Sequence, residues 1–373
     1  MRVWVCFRFA LLFGIASWTQ AWFQALQPSS SARASTPLAL VTGGSGRTGR
    51  MVCQLLVERG FALRVLARNV TKAQECLLPL LPETAVVEFC PGDLAQPHSV
   101  QAAFATTSSR QRPLTHVVYT AGGDDTDYYA VSYKGVALCA QEAARSGTVQ
   151  HFVFISTAWA TRPYSIASLL FNSLYDTIPM ACHYMGEQEL RRQATTAKKP
   201  LSYVILRPGG LNQDKRYAQK YPEAYAVRQD SITYHQGDNF TFLGPAGLPG
   251  MCRSQLAHVV ATATTGVTRG RYTVEVTGSG SVNWDDASVF TAALKTDDEQ
   301  ENVAGMTVIK REDEVFSVHG QAVDELKLAA AAASLAGLAS IFLFGWAEGV
   351  CLFLAVDAVL IALWRKLYAD QQM

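Results

Sequence analysis

Four glycines in the stretch VTGGSGRTGR (Gly43, Gly44, Gly46 and Gly49) have the spacing of a turn that closes around a phosphate. Glycines let the main chain approach a pyrophosphate, whose charge is met by the amides that open a following helix. Arg47 and Thr48 stand inside the same turn, and Arg68 ends the next apolar run. A site reading an unphosphorylated ribose carries a carboxylate at that place. Arg68, with Arg47 as a second cation, suits a 2′-phosphate that a carboxylate would repel. The expected ligand is therefore NADP. The plainer role for Arg68 is a solvated charge at a strand end.

A second set of residues is suited to moving protons. The His183 imidazole titrates near neutrality and is a candidate donor. The phenol of neighbouring Tyr184 titrates at about 10 and is a poor acid unless a cation lowers it. On a helix the two side chains point about 100° apart, so only one faces a given crevice. Both could equally line or pack a helix. Ser156 and Thr157 close an apolar run, and DDTDYY at 124–129 offers carboxylates or a solvated loop. The eight cysteines are scattered without a CxxC pair, so buried thiols are expected, with neither a disulfide framework nor a metal site.

The surrounding pattern supplies elements to position these groups. PLALVT leads into the glycine turn, RMVCQLLVERG has helical apolar spacing, and FALRVLAR reads as a second strand. AVVEFC, HVVYTAGG, HFVFIST and LSYVILRPGGL continue the alternation. The fold class is α/β, a Rossmann-type doubly wound parallel sheet. Asp93 and Leu94 of PGDL fall near an adenine, and Ala121 and Gly122 are small enough to border the cofactor. Ligands of open parallel sheets bind beyond the carboxyl ends of the strands, so Gly122, Ser156 and Pro208 are expected around one crevice.

Taken in order, the glycine turn, the arginine after the second strand, GDL, VSYKGV, FVFIST and ILRPGGL resemble the atypical short-chain dehydrogenase/reductases. The likeness is above all to their NAD(P)H-binding subgroup of plastids and cyanobacteria, and it covers roughly residues 38–277. It implies an NADP-binding domain with a small C-terminal substrate lobe at about 207–270, closed by the late helix GMCRSQLAHVVATATT. It also implies catalytic roles. In the wider superfamily a Tyr-x-x-x-Lys pair supplies the acid, and a serine orients the carbonyl. The resemblance puts Tyr184 and Ser156 in those positions. Four residues after Tyr184 stands Gln188, and the lysine that plastid relatives carry before Gly186-Glu187 is Met185 here. His183, an acid of the DDTDYY stretch, or water could then supply the proton, while hydride transfer itself requires only positioning.

Both ends of the chain add addresses. Residues 1–36 combine a short basic start, an apolar run at 9–15, small residues at Thr19 and Ala21, and a Ser/Ala-rich stretch. This reads as a bipartite presequence, a signal peptide followed by a transit peptide, with an ordinary secreted protein as the alternative. The domain follows at 37–325. An uncharged stretch at 328–347 is long enough to span a bilayer, and a second apolar run reaches Trp364. Together, 326–368 read as a membrane-anchoring hairpin, or as a hydrophobic helical hairpin folded on the domain. Lys327, Arg365 and Lys366 place the domain on the positive side, the stroma of a plastid, at the thylakoid or inner envelope. A net charge of +1 argues against a nucleic-acid partner. Two functions remain: a membrane-anchored NADPH-dependent oxidoreductase of a lipophilic plastid substrate, or a non-catalytic NADP-binding scaffold or redox sensor serving a plastid membrane complex.

Overall fold

The computed structural model describes residues 36–105, 112–122, 127–158, 160, 179–212, 231–236, 250–283, 285–298 and 328. Strand β1 (Leu38–Thr42) is buried at every position. Such a continuous apolar run is what a central parallel strand covered on both faces requires. Helix α1 (Arg47–Glu58) follows and buries Gly49, Val52, Cys53 and Leu56 at helical spacing. Next come β2 (Ala62–Ala67), α2 (Val70–Leu77), β3 (Val87–Pro91), α3 (Pro97–Phe104) and β4 (Leu114–Tyr119). A π-helical turn, Tyr129–Gly135, runs into α4 (Val136–Ser146). Then follow β5 (His151–Ile155), α5 (Pro179–Thr196), β6 (Ser202–Pro208), β7 (Gly210–Asn212), β8 (Ser231–His235) and β9 (Gly250–Cys252). Helix α6 (Arg253–Gly266), β10 (Arg271–Asn283) and α7 (Ser288–Ala292) complete the described elements.

The main sheet has the order β3-β2-β1-β4-β5-β6-β10-β8. Its strands are parallel except β8, which pairs antiparallel with β10. The order reverses between β1 and β4, and that reversal opens a crevice beyond the strand ends. One core lies between the sheet and helices α1 and α6; the other packs α3, α4 and α5 on the opposite face. The helices come close where side chains are absent: a Cβ on Gly186 of α5 would stand 2.3 Å from the Ser132 carbonyl oxygen.

The six expected strands are all present. Strand β10 is an addition that the sequence reading did not identify. Its residues alternate, with Tyr272, Val274 and Val276 in one core and Thr273, Glu275 and Thr277 buried as polar groups. That polar half hid the strand, because an apolar scan sees only alternate positions. The late helix, expected to close a substrate lobe, instead packs as α6 against α1 on the face of the main sheet. Among the described residues of 207–270, only the short β7–β9 ladder stands apart from that sheet. The expected hairpin at 326–368 and the presequence lie outside the described residues, apart from Thr36 and Leu328. No helix among the described residues is long and apolar enough to cross a membrane.

Two histidines sit between the sheet and α6 near the amino ends of β4 and β5. Burial drives His151 down to about 3 and His116 to about 4. The His151 ring is held by Ser202 Oγ at 2.8 Å and the Ala263 carbonyl at 3.1 Å. Both are neutral when folded, whereas an unfolded imidazole titrates at about 6.5. The unfolded chain therefore binds more protons below that pH, and stability falls as pH falls. The slope is up to about 1.4 kcal/mol per pH unit for each histidine, between about pH 6.5 and 4. Melting curves should shift down steadily from pH 7 to pH 5. A flat melting temperature over that range would refute the burial of these rings.

Candidate functional site

A cleft of about 510 Å³ opens at the sheet's reversal point, beyond the carboxyl ends of β1, β2 and β4. Gly43 and Gly46 form its floor. Gly43 has φ +70°, and a Cβ there would lie 2.6 Å from the Ala121 Cα, so only glycine fits. A Cβ on Gly49 would fall 2.1 Å from the Gly43 carbonyl oxygen, so α1 starts directly against the turn. Gly44 backs onto Val65 and Cys53 rather than the cleft. At the N-cap, Gly46 offers no side chain to the first-turn amides, and no acid stands in that turn. Backbone donors at a positive helix end, uncapped by the protein, suit a pyrophosphate.

Arg68, Asp93, Leu94, Ala121 and Gly122 line the same cleft as expected residues. Arg47 and Thr48 open α1 outside the lining, Arg47 being exposed to solvent. The second cation in the wall is Lys72, which the sequence reading missed, along with Ser45, Asn69, Thr120 and Val131. Asn69 caps α2 by accepting from the Lys72 amide at 2.9 Å, which fixes Lys72 in the first helical turn. A lysine there is disfavoured by the helix dipole, and that misplaced charge was the available signal. Arg68 reaches Asp127 at 3.8 Å, both side chains being largely solvated, so the pair contributes little. Of the DDTDYY motif, residues 124–126 lie outside the described residues; Tyr128 stands edge-on to His183 at 6.1 Å.

The proton-handling residues are arranged differently from the expectation. Ser156 and Pro208 are buried at the ends of β5 and β6 and do not line the cleft that Gly122 borders. They are one and two strands beyond β4, a displacement of roughly 5–10 Å across the sheet. The Ser156 hydroxyl donates to Glu187 Oε1 at 2.6 Å. In this arrangement its proton goes to a carboxylate. Glu187 is fully buried on α5, and burial alone would raise its pKa. The Arg207 guanidinium, bonding at 2.9 and 2.6 Å, and Arg191, bonding at 3.2 Å, outweigh burial and hold it near 2. Arg191 continues to Thr273 at 2.8 Å, and Thr273 and Tyr203 both donate to Asp297.

His183 is 8% exposed and stacks on Phe154, with ring centroids 6.2 Å apart. Burial lowers it to about 4, the Glu187 charge opposing only in part. At neutral pH it is an uncharged imidazole, not the readily titrating donor expected from its residue type. Its Nδ1 is enclosed without a hydrogen-bond partner among the described residues. Burial likewise raises Tyr184 above its ordinary value, with Arg191 opposing and Glu187 adding. Gln188 is fully enclosed, so no ammonium follows the phenol on this helix. The lysine described in this corner, Lys134, lies over the Tyr133 ring at 4.3 Å and the Tyr129 ring at 5.3 Å. No group of three or more His, Cys, Asp or Glu among the described residues could hold a metal.

Replacing Glu187 with Gln should destabilise the chain by about 3–5 kcal/mol, because Arg207 and Arg191 would stay buried without their counter-charge. Chemical denaturation reads this loss directly, and a change under about 1 kcal/mol would mean the network is solvated.

Solved structures that resemble the chain include a Bacillus halodurans protein assigned as an NAD-dependent epimerase/dehydratase, with 19% identity, 67% of this chain and 97% of that one covered, and a TM-score of 0.49. An oxidoreductase from Lactococcus lactis has 15% identity, coverage of 67% and 94%, and a TM-score of 0.46. The UDP-glucose 4-epimerase of Thermus thermophilus, in complex with NAD, has 18% identity, coverage of 68% and 82%, and a TM-score of 0.43. Comparison with curated proteins returns no match. The NAD(P)H-binding family matches residues 43–248, more than half of the chain, in the segment that forms the glycine turn and the cleft. The chain belongs to the NAD(P)H-binding family.

Proposed function

We propose that this protein is an NADPH-dependent oxidoreductase acting on a lipophilic substrate at a plastid membrane, either the thylakoid or the inner envelope, with its domain in the stroma. The observation that carries the cofactor choice is the pair of cations, Arg68 and Lys72, in the wall of the cleft where an NAD site would place a carboxylate. The Gly43–Gly46 turn and the uncapped start of α1 would hold the pyrophosphate, and Asp93, Leu94, Ala121 and Gly122 would border the rings. When bound, the cofactor supplies the hydride. The presequence and the uncharged stretch at 328–347 support the membrane location.

A second reading, a non-catalytic NADP-binding scaffold or redox sensor for a plastid membrane complex, is favoured by one observation. Residues 179–188 of α5 are buried on every side, and they include Tyr184 and His183. The two readings separate on turnover. The protein should bind NADPH at least tenfold more tightly than NADH in fluorescence titrations, and Arg68→Asp should erase the preference. Equal affinities in the wild type would remove the basis for NADP. In a screen of quinones and conjugated isoprenoids followed by NADPH absorbance, Tyr184→Phe should slow turnover less than tenfold, since burial raises that phenol despite the opposing Arg191 charge. A thousandfold loss would restore a dyad-type mechanism. Intact NADPH binding without turnover of any of these substrates would leave the scaffold reading standing.

A further inference from the structure

A second cleft, of about 860 Å³, lies at the other edge of the sheet. It is built by the loops that enter β4, β5, β6 and β10, four strands that are neighbours in the sheet. β5 runs for five residues between the two edges, which separates this cleft from the glycine turn by about 17 Å. It shares no lining residue with the dinucleotide cleft.

The walls carry three cations, Lys199, Arg269 and Arg271, against one acid, Asp298. Arg271 is anchored by Asp298 at 3.3 Å and by the Ala194 carbonyl at 3.1 Å, which leaves its charge locally offset. Lys199 and Arg269 make no ion pair or hydrogen bond with any described residue. The Lys199 Cδ, Cε and Nζ lie 3.9–4.0 Å from where a Cβ on Gly147 would stand, and both residues line the cleft. The threonine side chains of Thr148 and Thr268 add hydroxyls to the same rim. The other acid nearby, Asp297, is taken by Tyr203, Thr273 and Arg191. A concave surface with two cations that no described residue compensates, and neighbouring hydroxyls, concentrates anions, and the planar guanidinium of Arg269 matches a phosphate bidentately.

We propose that this cleft is a second ligand site that takes a phosphate group, held between Lys199 and Arg269 and accepting from Thr148 or Thr268. The phosphate belongs either to a soluble phosphorylated molecule or to an anionic lipid headgroup. The inference does not depend on the cofactor choice above, because none of its residues touches the dinucleotide cleft.

The test uses the full chain with the double variant Lys199→Glu/Arg269→Glu, and Lys199→Ala/Arg269→Ala as the milder pair should charge reversal impair folding. Both positions are solvent-exposed, so melting temperature and dinucleotide affinity are expected to be unchanged. With the dinucleotide cleft saturated by NADPH, calorimetric titration with inorganic pyrophosphate should show a binding event that the double variant weakens at least tenfold. Co-sedimentation with phosphatidylcholine vesicles, with and without phosphatidic acid, distinguishes the sources. A gain with phosphatidic acid that the variant loses assigns the phosphate to a lipid headgroup. Pyrophosphate binding alone, lost in the variant, assigns it to a soluble ligand. Pyrophosphate and vesicle binding both unchanged by the double substitution, or absent in the wild type, would overturn the proposal.

Discussion

The Glu187 carboxylate is the interaction on which the rest of the structure depends. It lies at zero exposure, where an unpaired charge would be untenable, and it is held ionised by Arg207 from β6 and Arg191 one turn along α5. Through Ser156 it also holds the end of β5, and through Arg191 and Thr273 it reaches β10. One buried anion thus joins a helix to three strands. Replacing so many hydrogen bonds at once is difficult, and that fixes the position of α5 relative to the strand ends.

That position governs the chemistry. Because α5 is drawn against the sheet, its first half is enclosed, and His183 and Tyr184 are shifted by burial in opposite directions, the imidazole down and the phenol up. Desolvation disfavours whichever form is charged, so both side chains are neutral across the working pH range. The network that secures the fold thus binds the Ser156 hydroxyl and holds α5 where His183 and Tyr184 are buried.

The two edges of the sheet are polarised in a complementary way. At the carboxyl edge, glycine contacts with Ala121 and between Gly49 and Gly43 bring main-chain amides to the surface, with Arg68 and Lys72 flanking them. At the amino edge, the cations are Lys199 before β6, and Arg269 and Arg271 at the start of β10. Neither arrangement appears in the net charge of +1, because the charges are segregated by the topology and not by the composition.

What the sequence determined by itself was whatever depends on neighbours within a few residues. The glycine spacing at 43–49, the apolar runs of β1 to β6 and the arginine ending β2 are local patterns, and each appears in the structure at or near its expected place. The elements that failed to show depend on long-range partners. β10 is half polar, and its Thr273 answers Arg191 of helix α5, a partner that no window of sequence contains. Lys72 joins the cleft only because β2 and the turn after β1 are brought side by side. Tertiary structure also decided the state of His183, Tyr184 and Ser156, since burial and the Glu187 carboxylate set their protons. Residue type fixes what a side chain can do in water; only the packing around it fixes what it does in the protein.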